Sequence, residues 1–474
     1  MIARRLGAYA ATTVAVAAMT GQVPAAHGQE ADPAASAPPV VEGPPPSAEP
    51  VAPDIPTSKR SECAVPSWSG RSDAEAATAS QRMLGVDAAH LHATGRGQRV
   101  AIIDTGVQPQ PRLPRVVPGG DYVSDGDGLQ DCDGHGTLVA GLIAGQASDG
   151  DDFVGMAPAA EIISIRQASI AYEPSDDVEI PEQDQVSPGY GNIDTLARAV
   201  VHAVDQGATV INISQVACAS SKEELDDHAL GAALRLARER DVVVVVAAGN
   251  VQGQGPCSAQ NPADSPGSAS QMDWGSISTF VTPARFSDYV LAVGAVDETG
   301  GPTPFSLRGP WVGATAPGTD IVSLSSAPGG GLADTQQTQD GSSPYIGSSF
   351  SAAYVAGVAA LVREKFPEAS AEEVIDRITR TSHHPMAGPN PTVGAGVVDP
   401  VAALTDSIDP ASSTGSTPYS PPPADPGPDP LPRNLALAGS GVLLFALVAG
   451  TAISFALRRN PKAVTTPDGT DDSY

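Results

Sequence analysis

The chain has 474 residues, of which 41% are hydrophobic, so it can bury a large core and is not disordered throughout. Acidic residues number 54 against 26 basic ones, and the formal net charge of −28 repels phosphate backbones, which excludes nucleic acid as an expected partner. The length suits two or three domains, although one large α/β domain can take up most of it.

The N-terminal segment predicts export from the cytoplasm. Arg4 and Arg5 precede an apolar run from Leu6 to about Met19, and small residues follow this run. A basic start, an apolar middle and small residues at the end form the layout of a secretory signal peptide. We therefore expect residues 1–28 to be a signal peptide.

A second apolar run, residues 435–457, contains no charged residue. Twenty-three residues in a helix can cross a hydrocarbon core of about 30 Å, so we expect one transmembrane helix here. Arg458, Arg459 and Lys462 follow the run, which predicts a cytoplasmic tail over residues 458–474 and an extracytoplasmic body. A buried core helix is the alternative, but a Pro-rich stretch separates the run from any core. The expected location is the cell membrane, with a single pass.

Two Pro-rich segments flank the body of the chain. From residue 31 to residue 57 the composition is mostly Pro, Ala, Ser, Glu and Val, which predicts a flexible or polyproline-like arm within an N-terminal extension over residues 29–74. Residues 406–434 form a Pro-rich stalk ahead of the apolar run. Residues 75–405 are then left as one large globular domain.

Inside this body, runs of strand length alternate with helical patterns. The runs are rich in Val and Ile and show little polar alternation, as strands covered on both faces do. They are residues 99–104, 161–166, 209–214, 242–247 and 289–296, and the helical patterns are residues 193–206 and 227–239. This alternation predicts an α/β fold, a mostly parallel sheet with helices on both faces, and functional groups at the carboxyl ends of its strands.

Three residues suited to acyl transfer lie at such positions. Asp104 directly follows the first strand, His135 opens a helix of small residues, and Ser349 stands where a glycine turn opens another. Acyl transfer needs a nucleophilic hydroxyl, a base beside it and a carboxylate that fixes the tautomer of the base. At Ser349 a helix N-terminus would also aim backbone N–H groups at developing negative charge. We expect these three residues to be catalytic.

Asn250 supplies a fourth element of the same chemistry. It follows Ala-Ala-Gly at the end of the run 242–247, where a side-chain amide can act as a second oxyanion donor. Taken singly, each of the four residues has a structural alternative: Asp and Asn are common in turns, and Ser is a common helix cap. Their joint arrangement favours catalysis, because the triad chemistry predicts all four positions together.

The segments around these four residues resemble the four signature blocks of the subtilases, the subtilisin-like serine proteases. Residues 306–310 and 316–318 resemble two further landmarks of that family, so the likeness spans about 95–400. It implies a subtilisin-like fold and serine endopeptidase activity. We expect no cofactor and no metal. Ala353 stands where the family usually has Pro, and we expect activity to survive. Gln215-Val216 replaces a Leu-Gly pair that shapes the substrate groove, so the side-chain preference of the groove stays open.

The order of segments resembles that of the mycosins, the membrane-anchored subtilases associated with type VII secretion. The space before the catalytic domain is short and Pro-rich, which leaves no room for the folded inhibitory propeptide of a generic secreted subtilase. The resemblance implies an N-terminal extension wrapped on the catalytic domain, a protein substrate, and the type VII secretion membrane complex as partner. A structural role within that complex, with proteolysis secondary, is the alternative function.

The four cysteines allow three pairings, and the sequence alone does not choose among them. We expect disulfides Cys63–Cys132 and Cys218–Cys257, which would pin the arm beside His135 and clip a loop beside Asn250. Each closed loop would contribute about 4 kcal/mol in the chain-entropy model. Metal ligation is the alternative use, but predicted export and the absence of CxxC spacing argue against it.

Two further features leave alternatives open. Long insertions over residues 168–192, 251–282 and 327–345 suit substrate selection or docking, although solvated padding has the same composition. A Gly-rich segment also carries five acidic residues, and the lack of EF-hand spacing favours a solvated loop over a calcium site. These residues are Asp121, Asp125, Asp127, Asp131 and Asp133.

Overall fold

The computed structural model describes residues 38–70, 78–175, 180–221, 224–262, 274–338, 341–386 and 388–408. The expected signal peptide, the transmembrane helix, the cytoplasmic tail and nearly all of the stalk lie outside these ranges. Within them, no helix combines the length and the apolar character that crossing a membrane requires.

The described strands are short outside a central sheet. They are β1 (Thr57–Lys59), β2 (Pro66–Ser67), β3 (Arg99–Asp104), β4 (Val116–Asp121), β5 (Glu161–Arg166), β6 (Tyr172–Pro174), β7 (Val210–Ile213), β8 (Ala217–Ala219), β9 (Val243–Ala247), β10 (Phe280–Thr282), β11 (Leu291–Val296), β12 (Val312–Pro317), β13 (Ser323–Leu324), β14 (Leu332–Ala333), β15 (Thr335–Thr338) and β16 (Gly341–Pro344). The helices are α1 (Ala79–Met83), α2 (Val86–His90), α3 (His135–Ala144), α4 (Ile193–Asp205), α5 (His228–Glu239), α6 (Ser348–Lys365), α7 (Ala371–Arg380) and α8 (Pro400–Thr405).

Seven strands form the central sheet in the order β12-β11-β9-β7-β3-β5-β4, and every neighbouring pair is parallel. The five strands predicted from sequence are the five in the middle. The prediction missed β4 and β12 at the two edges, because their sequences carry Pro and Gly and lack the Val/Ile-rich character of a strand covered on both faces. The predicted parallel α/β architecture is confirmed.

Two hydrophobic cores lie on the two faces of this sheet. Successive side chains of a strand point to opposite faces, and in β3 Val100 and Ile102 enter one core while Ala101 and Ile103 enter the other. The first core also contains the buried faces of α3 and α6, and the second contains those of α4 and α5. Helices therefore cover both faces, and the carboxyl ends of the strands stay free to carry a site.

The described part of the arm, residues 38–70, lies on the body. The strand β1 pairs with β6, Tyr122 Oη donates to Ala48 O at 3.2 Å, and Arg198 Nη1 donates to Pro50 O at 2.8 Å. Of the two alternatives predicted for residues 31–57, a flexible arm does not describe residues 38–57, because the body supplies hydrogen-bond partners to them. The wrapped extension implied by the family resemblance describes them better.

Both cysteine pairs form disulfides. Cys63 is bonded to Cys132, which joins the arm to the loop ahead of α3, and Cys218 is bonded to Cys257, which joins β8 to the insertion after Asn250. This is the expected pairing of the three that the sequence allows.

The acidic segment before α3 is only partly a solvated loop. Asp125 and Asp127 are exposed, but Asp121 is buried and its Oδ2 lies 3.2 Å from Nη1 of the buried Arg166. Asp131 is buried as well. Among the described residues, no group of three or more His, Cys, Asp or Glu side chains is arranged to hold a metal ion.

Candidate active site

The strand β3 places Asp104 at the carboxyl edge of the central sheet. The strands β5 and β7 pair with β3 on its two edges. Asp104 is the last residue of β3 and is fully buried. A carboxylate in such a place needs donors, since an unpaired buried charge is costly. Asp104 Oδ1 accepts from the backbone N–H of Thr105 at 2.8 Å and faces the start of α3.

The helix α3 begins at His135 and lies directly against the loop after β3. Gly136 makes this approach possible, because a Cβ atom at that position would lie 2.0 Å from Gly106 O and 3.3 Å from Asp104 Cβ. The Gly of the His-Gly-Thr segment thus sets the distance between the imidazole and the carboxylate. The His135 side chain keeps 28% exposure, while Asp104 keeps none.

The helix α6 begins beside them at Ser348, after Gly347. Most of α6 is buried in the first core, so its first turn is held firmly. Gly347 has φ +155°, and a Cβ there would lie 3.0 Å from Ser349 Oγ. A larger residue would crowd the space above that hydroxyl. Ser349 itself is 6% exposed.

Asp104, His135 and Ser349 form a continuous chain of hydrogen bonds. His135 Nδ1 lies 2.7 Å from Asp104 Oδ1, and His135 Nε2 lies 3.0 Å from Ser349 Oγ. A carboxylate can only accept, so the proton of the neutral imidazole resides on Nδ1. Nε2 is then the acceptor for the Ser349 hydroxyl, which is the arrangement that a general base requires.

The charge around His135 favours its protonated form. Burial would lower the pKa of the imidazole, but the Asp104 carboxylate, followed by Asp131 and Asp133, raises the pKa above its usual value. The ring also contacts Phe350, with ring centroids 5.1 Å apart. A base with these neighbours can accept a proton and hold the resulting cation next to a fixed negative charge.

Asn250 completes the site from the end of β9. Its Oδ1 accepts from Ser348 N at 2.9 Å, which fixes the orientation of the carboxamide. The Nδ2 group then faces the space above the nucleophile, since the point 3.0 Å from Ser349 Oγ that a Gly347 Cβ would occupy is 3.6 Å from Asn250 Nδ2. A carbonyl under attack by the hydroxyl would bring its oxygen near this donor.

The structure also locates the positions that depart from the subtilase pattern. Ala353 is buried in α6, which runs without a break from Ser348 to Lys365. Gln215 and Val216 are half-buried and follow Ser214, whose Oγ donates to Ser349 O at 3.4 Å. The two replacement residues therefore directly follow a residue that contacts the backbone of the nucleophile.

The sequence did not predict a role in catalysis for Thr105 or Asp131. Both lie beside the catalytic triad. The available signals were a hydroxyl directly after Asp104 and an acid four residues before His135. Both patterns are also common in ordinary turns, so neither is specific. In the structure they belong to one hydrogen-bond network with the start of α3.

The fold and the geometry of this site define a serine protease of the subtilisin type. The family model described as "Subtilase family" matches residues 95–396, which is more than half of the chain. The chain therefore belongs to the subtilase family, and the curated relatives that it matches over most of its length include several mycosins. It is 45% identical to mycosin-1 of Mycobacterium tuberculosis over 86% of this chain and 91% of that protein. It is 42% identical to mycosin-3 of the same organism over 90% of this chain and 94% of that protein.

Solved structures show the same likeness. The MycP3 protease from the type VII (ESX-3) secretion system is 47% identical, with a TM-score of 0.73 over 78% of this chain and 99% of that one. A chain in the intact ESX-5 inner membrane complex is 40% identical, with a TM-score of 0.71 over 89% of this chain and all of that one (100%).

Proposed function

We propose that this protein is a membrane-tethered, extracytoplasmic serine endopeptidase that cleaves protein substrates linked to type VII secretion. The observation that carries the catalytic part is the chain of hydrogen bonds from Asp104 through His135 to Ser349, with spacings of 2.7 and 3.0 Å. Separations of this size allow a proton to move during attack on a carbonyl.

In the proposed reaction, Ser349 Oγ attacks a peptide carbonyl while His135 Nε2 accepts the hydroxyl proton. Asp104 holds the imidazole in the required tautomer and stabilises the imidazolium. The carbonyl oxygen becomes an oxyanion that accepts hydrogen bonds from Asn250 Nδ2 and the backbone N–H of Ser349. His135 then returns the proton to the leaving amine, and water releases the acyl group by the same route.

The proposed domain organisation keeps the catalytic body outside the membrane. It consists of a signal peptide (1–28), an N-terminal extension (29–74), the subtilase domain (75–405), a stalk (406–434), a transmembrane helix (435–457) and a cytoplasmic tail (458–474). Support comes from the subtilase match at residues 95–396 and from the uncharged apolar run with basic residues after it.

The link to type VII secretion rests on the relatives. Similar chains have been solved as the MycP3 protease of the ESX-3 system and within the ESX-5 inner membrane complex. This likeness extends over most of the chain, so we propose the same kind of membrane complex as partner.

The nucleophile can be tested by covalent labelling with a fluorophosphonate probe. Ser349→Ala should abolish labelling, because no other residue of the proposed site carries a hydroxyl hydrogen-bonded to His135. Ser342→Ala, which removes an exposed hydroxyl on β16, is the matched control and should be labelled like the wild type. Circular dichroism checks that both variants fold. Labelling that persists in Ser349→Ala would contradict the assignment.

A second function, structural support of the secretion complex, is favoured by the likeness to a chain within an intact membrane complex. The two functions can be distinguished by measuring secretion in a strain that lacks the gene and in the same strain carrying Ser349→Ala. Loss of secretion in both indicates that proteolysis is the main task. Loss only on deletion indicates that the protein mainly supports the complex.

A further inference from the structure

Asp131 is a buried carboxylate beside the catalytic residues. Four hydrogen bonds hold it in place, and none of them involves Ser349 or Asn250. Its Oδ1 accepts from Thr105 Oγ1 and from Gly134 N, both at 2.8 Å. Its Oδ2 accepts from Thr137 N at 2.8 Å and from Thr137 Oγ1 at 2.6 Å. Each oxygen therefore has two donors, and the side chain is fixed in one orientation.

These bonds connect the two halves of the carboxylate–imidazole pair. Thr105 directly follows Asp104, while Gly134 and Thr137 lie on either side of His135. Thr105 Oγ1 also accepts from Gly136 N at 2.9 Å, which closes a ring of hydrogen bonds between the end of β3 and the start of α3. Such a ring restricts how far the imidazole can move from the carboxylate.

We propose that Asp131 is a positioning residue for catalysis, which holds the start of α3 against the end of β3 and acts on His135 through its negative charge. The inference rests on the proposed function, because it requires His135 to be the general base. It goes beyond that function, since Asp131 touches neither Ser349 nor the oxyanion space.

The charge state of Asp131 suits this role. Burial raises the pKa of Asp131 to about 6, against the hydrogen bonds from Thr137 and Thr105. The pKa of His135 is raised as well, first by Asp104 and then by the negative charge of Asp131. The other titratable groups that face the pair are Asp104, Asp133 and the Tyr345 phenol, whose pKa is raised by burial and then by Asp131 and Asp334.

A simple helix cap would behave differently. Loss of a cap lowers the stability of the helix, whereas loss of a positioning contact also lowers the rate of the folded enzyme. Loss of Asp131 is also expected to lower the pH at which His135 titrates, as loss of any nearby carboxylate would. The plateau rate, measured on folded protein, is therefore the readout that separates positioning from capping alone.

The test measures the rate of fluorophosphonate labelling of Ser349 against pH in the full-length protein. For Asp131→Asn we expect the plateau rate to fall about 10- to 100-fold, the size of effect that a small misplacement of a catalytic group causes. We also expect the acid limb to move to lower pH, because one negative charge near His135 is lost.

Asp133→Asn is the matched control. Its carboxylate also raises the pKa of His135, but its hydrogen bonds go to Ser169 Oγ at 2.6 Å and Ile170 N at 2.9 Å, outside the ring. The acid limb should therefore move in the same direction while the plateau stays near the wild-type rate. A plateau loss as large as that of Asp131→Asn would overturn the positioning role.

Thr105→Val and Thr105→Ser extend the test without changing any charge. The Val variant removes the hydroxyl that bonds to Asp131 and Gly136, so it should lower the plateau rate without moving the acid limb. The Ser variant keeps the hydroxyl and should label at the wild-type rate. If Asp131→Asn does not fold, this pair decides the outcome. A plateau rate and an acid limb like those of the wild type in Asp131→Asn would overturn the positioning role of Asp131. If that variant does not fold, a wild-type rate in Thr105→Val would do the same. Neither result would contradict the proposed function. Absent labelling of wild-type Ser349 overturns the proposed function itself.

Discussion

Asn250 shows how one side chain can serve both the structure and the proposed chemistry of the site. Its Oδ1 accepts from Ser348 N at 2.9 Å, which orients the first turn of α6. Its Nδ2 faces the space above Ser349 Oγ. Replacement by Ala removes both roles at once, whereas replacement by Asp keeps the acceptor and removes the donor.

We predict that Asn250→Ala and Asn250→Asp both lower the rate of fluorophosphonate labelling by about 100- to 1000-fold, the loss that removal of such a donor causes in subtilisin. The physical reason is that the oxyanion loses one of its two proposed hydrogen bonds. Labelling rates at neutral pH provide the measurement. A near-normal rate in Asn250→Asp would assign Asn250 the structural role alone.

The catalytic residues could be predicted from sequence more readily than the residues that hold them in position. Asp104, His135, Asn250 and Ser349 stand in short motifs at strand or helix ends, so their spacing indicates their chemistry. Asp131 has no comparable signal. Its importance comes from donors that other segments supply, and only the folded chain brings Thr105 within 2.8 Å of it.

At the scale of elements, the central strands were predictable and the edges were not. Burial on both faces favours Val and Ile in β3, β7 and β9, and this enrichment is visible in the sequence. Edge strands tolerate Pro and Gly, so they lack this pattern. The arm, in turn, forms its hydrogen bonds with residues of the body. Composition alone therefore could not show that residues 38–57 lie on the body, since their hydrogen-bond partners are distant in sequence.

The arm is held by more than its disulfide. Ser69 N donates to Asp334 Oδ1 at 2.8 Å, and Asn192 Nδ2 donates to Asp54 Oδ2 at 2.9 Å, so anchors lie on both sides of Cys63. Two short pairings, β1 with β6 and β2 with β15, add to them. The arm should therefore stay docked when the Cys63–Cys132 bond is absent.

We predict that Cys63→Ser combined with Cys132→Ser lowers the free energy of unfolding by about 4 kcal/mol, because the unfolded chain regains the freedom of the long loop. Urea unfolding of the full-length protein in detergent measures the loss. Hydrogen exchange should show the β1 amides still protected under native conditions. Cys218→Ser with Cys257→Ser is the control, with a similar loss. Early loss of β1 protection in the first variant would mean that the disulfide alone docks the arm.

For the whole molecule, the charge of −28 has a consequence for pH dependence. Several carboxyl groups of the body have raised pKa values, foremost among them the buried Asp131, and also Asp133, Asp184 and Asp194, in each case chiefly because of burial. A raised pKa means that the folded state binds protons more tightly than the unfolded state. Such groups make the fold less stable as they ionise.

We predict that the free energy of unfolding falls as pH rises from about 4 to about 7. The contribution of Asp131 alone is a cost that is absent below pH 3.8 and nearly complete above about pH 6, where it amounts to about 3 kcal/mol. His135 adds to the same trend, because its raised pKa stabilises the fold below pH 6.5 and this gain is lost as the imidazole deprotonates. The lowered pKa values of Asp241 and Asp297 act in the opposite direction, but both groups are mostly solvated and count for little.

Urea unfolding of wild type and Asp131→Asn at several pH values isolates the buried carboxyl. The difference in unfolding free energy between the two proteins should change across the window from pH 4 to pH 6 and be constant above it, because only the wild type ionises there. Asp127→Asn, which changes an exposed carboxyl of the same loop, is the control and should follow the wild-type curve. A wild-type maximum of stability above pH 7, with parallel curves for Asp131→Asn, would show that Asp131 ionises as easily in the folded chain as in the unfolded one.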